Sequence, residues 1–111
     1  MDKALLSGST AMLLLKLLEE QDMYGYQMIE TLAQRSDHTF DLKAGTLYPL
    51  LHTLEQQGWV TAREQPGSDT ARPRRYYALT EAGRGQLAQK EAEWRPYAAA
   101  VTQVLEGACL A

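Results

Sequence analysis

Cysteine is almost absent: Cys109 is the single one in 111 residues, so an internal disulfide framework is excluded, and a reducing compartment is compatible with that composition. Third from the end, it forms no prenylation box. Long apolar runs are missing too. The run over residues 11–15 stops at Lys16, far short of the ~18 residues of a membrane span. The first residues lack the basic start and long apolar core of a secretory leader, and the expected location is cytoplasmic. Sets of Cys or carboxylate ligands around His38 and His52 are absent, which argues against a metal site. So are a nucleophile–base pairing, a catalytic carboxylate pair and a phosphate-cradling glycine loop. The chain is expected to be neither an enzyme nor a cofactor carrier. A net basic charge is lacking as well: the balance is −3 and the pI about 5.3, which by itself disfavours a nucleic-acid partner.

Charge is unevenly spread, however. Residues 60–84 hold Arg63, Arg72, Arg74, Arg75 and Arg84 against Glu64, Asp69 and Glu81, a local excess of two positives. The acidity lies at Glu19, Glu20 and Asp22 and along Glu91, Glu93 and Glu106. Hydrophobic content of 45% and charged content of 23% are ordinary for a globular domain, and the length suits one domain with one core.

Periodicity organises what is present. Residues 10–20, TAMLLLKLLEE, are apolar almost all round, as a central core helix is. Gly25 punctuates the chain before a second helix over residues 26–35, with Tyr26, Ile29, Leu32 and Ala33 expected on the core side. SDHTFD reads as a polar connection. In AGTLYPLLHTLEQQG, residues 44–58, Leu47, Leu50, Leu51 and Leu54 follow i, i+3, i+4, i+7 spacing, and Gly58 is a C-terminal stop. The opposite face carries Thr46, Tyr48, His52 and Thr53. Pro49 sits inside this helix. With Thr46 as the N-cap it falls at N3, where a missing N–H costs nothing; with a start near Ala44 its ring opposes the carbonyl of Gly45.

WVTARE, QPGSDTARP and RRYYALT read as strand, loop and strand, with Tyr77 and Leu79 facing inward. Thr80 is the expected N-cap of a last helix running to about Glu106, with Glu81 in its first turn. Along it, Leu87, Trp94, Ala98, Val101 and Leu105 are spaced 7, 4, 3 and 4, a heptad-like stripe expected to pair with a second copy. Three helices, a hairpin and a helix are the order of a winged helix-turn-helix, which lays its third helix in the DNA major groove. The expected class is mainly α with a small β-hairpin: a winged helix-turn-helix DNA-binding domain over residues 1–79, and a C-terminal dimerisation helix and tail over residues 80–111. The competing reading is a winged helix used for protein contacts or ligand capture without a dedicated operator.

Three segments in this order, YGYQMIETL, GTLYPLLHTLEQQGWV and ARPRRYYALTEAG, resemble the PadR family of bacterial transcriptional regulators. The resemblance spans about residues 5–105 and fits the short subclass with a single C-terminal helix. It implies a homodimer that binds a near-palindromic double-stranded operator, represses transcription and is released by a small ligand or stress signal. On that basis Lys43, Thr46, Tyr48, Pro49 and His52 on the third helix and Arg72, Arg74 and Arg75 on the wing are the DNA-contacting candidates. Tyr24 is a weaker phosphate candidate. Trp94 looks like the tryptophan on which some multidrug-binding members stack flat aromatic compounds across the dimer axis, which implies a small planar aromatic effector. Two positions depart from the pattern. Lys43 replaces the usual Ser or Asn cap, and Pro96 is expected to interrupt the last helix. Trp59 reads as structural and Cys109 as an inert thiol in a frayed tail.

Overall fold

A computed structural model describes residues 3–65 and 74–107, with side chains from Ser9 onward. Helix α1, Lys3–Glu20, begins a full two turns before the apolar stretch that announces it. Leu14, Leu15, Leu17 and Leu18 are all within 2% of full burial, because neighbouring elements pack on several sides of this helix, as its all-round apolar sequence requires. Two extended residues, β1 (Met23–Tyr24), precede α2 (Gly25–Arg35). Then come α3 (Ala44–Gln56), β2 (Val60–Gln65), β3 (Arg74–Leu79) and α4 (Glu81–Leu105). The wing is therefore part of a three-stranded antiparallel sheet of order β1-β3-β2 rather than an isolated hairpin. Among the described residues no helix is long and apolar enough to cross a membrane.

Local chemistry explains the element ends. Gly58 adopts φ +80°, and at the end of α3 its N–H donates to Glu55 O and that of Trp59 to Leu54 O, both at 3.0 Å. This is a Schellman closure, which uses a left-handed residue that glycine adopts without strain. The end of α2 uses the same device with Asp37 at φ +51°: His38 N donates to Ala33 O at 2.7 Å. Thr80 caps α4 as expected, its Oγ1 accepting from Gly83 N at 2.9 Å and donating to Gly58 O at 2.7 Å.

The core joins the four α1 leucines to Met23, Met28 and Leu32, Leu42, the α3 residues Leu47, Leu51 and Leu54, and Val60, Tyr77 and Leu87. Three sequence expectations need correction here. Tyr26 is 60% exposed, and Met28 takes the core position on α2. The connection between α2 and α3 is polar only in part, since Leu42 is buried and Phe40 packs against the core. Leu87, expected in the dimer stripe, is 1% exposed within its own domain and is not free to meet a second copy.

Helix α4 runs unbroken through Pro96, so the interruption expected there does not occur. The proline removes the N–H that would meet Ala92 O, and Ala92 is exposed to water. Beyond Glu91 every residue of the helix except Ala98 is exposed. The Cα radius of gyration is 16.4 Å and the long axis 65 Å, against about 13 Å for a compact chain of this length.

Candidate nucleic-acid interface

Helix α3 begins at Ala44, and Lys43 occupies the N-cap without a side-chain cap bond. Thr46 is therefore inside the first turn rather than at its cap, and Pro49 faces the carbonyl of Gly45. Both residues are exposed, so water can satisfy the freed oxygen. Leu47, Leu51 and Leu54 bury one face of α3 completely. At 100° per residue the opposite face carries Thr46, Pro49, His52 and Thr53, all exposed, and Thr53 Oγ1 is turned back onto Pro49 O at 3.2 Å.

Tyr48 occupies the flank of this helix rather than its outer face. Its ring lies against the start of α2: a Cβ on Gly25 would overlap the Tyr48 hydroxyl and stand 2.6 Å from Cζ. Burial raises the Tyr48 phenol pKa, with Tyr77 and Tyr26 adding to the effect. The Tyr48 ring thus fills the space beside Gly25 and links α2 to α3, while the residue stays 41% exposed.

The wing sorts its cations by strand alternation. On β3, Tyr77 and Leu79 point toward the core and share that side with Arg75. Arg74 and Tyr76 take the other side. Register extends both faces, since Tyr76 pairs with Arg63 and with Tyr24, and Arg75 with Glu64. On the outer face Arg74 stacks over the Tyr24 ring at 4.6 Å and Arg63 over Tyr76 at 5.5 Å. The rings of Tyr24 and Tyr76 meet edge to face at 5.4 Å. Arg63 also reaches Asp22 at 2.8 Å. On the inner face Arg75 Nη2 donates to both Glu55 oxygens at 3.1 Å and covers the Tyr77 ring at 5.8 Å. Its guanidinium pKa is raised first by Glu55 and then by Tyr77. Arg74 and Arg75, two of the three wing arginines read from sequence as DNA-contacting candidates, thus face opposite ways, and Arg75 already has a carboxylate. Tyr24, the weaker phosphate candidate, lies under Arg74. Arg72 lies outside the described residues, as does Cys109.

The projecting half of α4 exposes Trp94 (43%), Tyr97 (63%), Val101 (38%), Val104 (79%) and Leu105 (80%). Ala98 is half-buried. Tyr97 and Val104 widen the stripe expected from sequence; their helical spacing to Val101 is the signal that marks them. Trp94 leans on Tyr97 at 5.8 Å between ring centres. It also borders a cleft of about 210 Å³ with Met12, Leu13, Lys16, Glu91 and Arg95. Glu91 holds Arg95 at 3.0 Å and lies 4.0 Å from Lys16. Among the described residues no three His, Cys, Asp or Glu side chains are grouped to hold a metal ion.

Known proteins share this fold. Residues 14–89 match the profile of the transcriptional regulator PadR-like family. The chain is 37% identical to a PadR family transcriptional regulator from Eggerthella lenta DSM 2243, whose crystal structure superposes with a TM-score of 0.79 over 93% of this chain and 87% of that one. A transcriptional regulator from Clostridium thermocellum is 27% identical, with a TM-score of 0.82 over 93% of this chain and 96% of that one. The transcriptional regulator YqjI of Escherichia coli (strain K12) is 29% identical over 76 residues, 68% of this chain and 34% of YqjI, so the similarity spans about a third of that longer protein.

Proposed function

The chain belongs to the transcriptional regulator PadR-like family, and from that premise we propose that it is a homodimeric repressor that binds a near-palindromic DNA operator through α3 and the wing. One observation carries the reading. The face of α3 opposite its buried leucines is exposed and bears Thr46, His52 and Thr53 without a carboxylate, as a helix lying along a polyanion requires. Lys43 stands 81% exposed at the N-terminal end of this helix, where backbone N–H groups and a cation together favour a phosphate. Arg74 and Arg72 supply the wing's phosphate contacts, and Pro49 shapes the end of α3 that enters the groove.

Dimerisation uses Trp94, Ala98, Val101 and Leu105 of α4, widened by Tyr97 and Val104. The exposure of so many large apolar groups on one short length of helix supports this role. A planar aromatic effector stacking between two Trp94 rings would gain about 0.5–1.5 kcal/mol per ring pair beyond area burial. It would release DNA by favouring a helix spacing unlike the roughly 34 Å between successive major-groove faces.

His52→Ala tests the recognition helix. The leucine face is untouched, so thermal stability should stay at the wild-type level. Affinity for the duplex upstream of the coding sequence should fall by about 1–3 kcal/mol if the imidazole reads a base or a key phosphate. Unaltered affinity in a folded variant would move this face of α3 out of the DNA interface.

A further inference from the structure

We propose that Arg75 and Glu55 form a brace that fixes the wing against the recognition helix, so that Arg75 acts on DNA binding as a positioning residue and never touches phosphate. This rests on the DNA-binding reading above. Three observations carry it. Strand alternation turns Arg75 to the core side of β3, the side of Tyr77, while Arg74 takes the outer side. Glu55 lies seven residues after Tyr48 on the same flank of α3, the flank that faces the sheet, and both its oxygens accept from Arg75 at 3.1 Å. Finally, the guanidinium rests over Tyr77 at 5.8 Å, and Tyr77 is itself 4% exposed. One cation is thus held by a carboxylate on the recognition helix and by a core ring of the wing.

The geometry has a mechanical meaning. The wing is the antiparallel pair β2 and β3, and from Tyr77 toward Arg74 the strand is no longer buried in the core. Arg75 is the first inward-facing residue of β3. Joined to Glu55, near the C-terminal end of α3, it fixes the angle between two elements that must meet one duplex together. Arg74, held over Tyr24, remains exposed and is the wing cation that meets phosphate.

Charge and position make opposite forecasts for Glu55→Gln. Removing a carboxylate beside DNA strengthens binding if Glu55 merely masks Arg75, and weakens it if Glu55 holds the wing. The experiment measures affinity for a duplex from the region upstream of the coding sequence, across a salt series, for E55Q, R75Q, the charge swap E55R/R75E, and R74Q. Hydrogen exchange of the β3 amides is followed in the same free proteins. E55Q and R75Q should each bind about five-fold more weakly, the upper range for a partly exposed ion pair, with an unchanged slope of log K against log salt. Their β3 amides should exchange faster, and the swap should restore both properties. R74Q should lower the salt slope by about 0.9 per lost contact per subunit and leave β3 exchange unaltered. A reduced slope in R75Q, or tighter binding by E55Q, would overturn the proposal. If the wild-type protein binds no duplex, the DNA reading fails by itself; unaltered β3 exchange in E55Q and R75Q then overturns the brace, and faster exchange upholds it.

Discussion

Gly83→Ala should lower the stability of the domain by about 3 kcal/mol, the upper end of the usual cost of overpacking, although alanine improves helix propensity by about 1 kcal/mol. The cause is a backbone contact. The first turn of α4 docks on the junction of α3 and β2, where Thr80 N donates to Trp59 O at 3.1 Å and Thr80 Oγ1 to Gly58 O at 2.7 Å. A Cβ on Gly83 would overlap the Trp59 carbonyl oxygen and lie 2.6 Å from Leu79 Cδ1. The leucine can rotate, but the carbonyl is held by the Thr80 amide and by strand geometry. Relief therefore requires α4 to lift away, and Leu87, one turn further on and fully buried, goes with it. Gly85→Ala is the matched control, because a Cβ added there would meet nothing within 4 Å; it should stabilise by up to about 1 kcal/mol. Thermal denaturation at one fixed protein concentration compares the two. A Gly83→Ala protein as stable as Gly85→Ala would show that α4 does not dock on Trp59 in this way.

Val101→Glu should convert the protein to a monomer without unfolding the domain. Val101 is 38% exposed and sits in the middle of the projecting apolar stripe, away from the core cluster. Two copies related by a twofold axis would bring two carboxylates together in a desolvated seam, at a cost of about 3–5 kcal/mol for uncompensated buried charge. The dimer constant should weaken by at least about 100-fold. Operator affinity should drop by a similar factor, because the second half-site contact is no longer intramolecular. Gln103→Glu, half a turn around the helix and exposed, should remain dimeric. Sedimentation at micromolar concentration distinguishes them, and a dimeric Val101→Glu protein would place the interface elsewhere.

Which of these features were readable from residues alone follows from how far each signal reaches. Helical periodicity marked α1 to α4, and Gly58 and Thr80 marked two boundaries, because capping is settled locally between a side chain and the next few amides. The two residues of β1 carry no period, and their strand exists only because β3 lies beside them. Gly25 reads as a turn, yet the Tyr48 ring of α3 lies against it, and Gly83 is small because the Trp59 backbone carbonyl stands beside it; the sequence around neither glycine announces its neighbour. Leu87 fits a heptad with Trp94 as well as it fits the core, and sequence spacing does not distinguish the two partners. The Arg74–Arg75 pair is the instructive case for the site. Alternation on a strand was enough to assign the two to opposite faces; the identity of Glu55 as the inner partner, 20 residues away, was not.

The central claim is that a chain of net charge −3 nevertheless binds DNA through α3 and the wing. Its most direct test is the salt dependence of binding by the wild-type protein to the duplex upstream of its coding sequence. Two subunits that each neutralise about three phosphates predict two protein chains per duplex and a log K falling linearly with log salt at a slope of about −5. Binding that does not depend on salt, or no binding at low salt, would contradict the account.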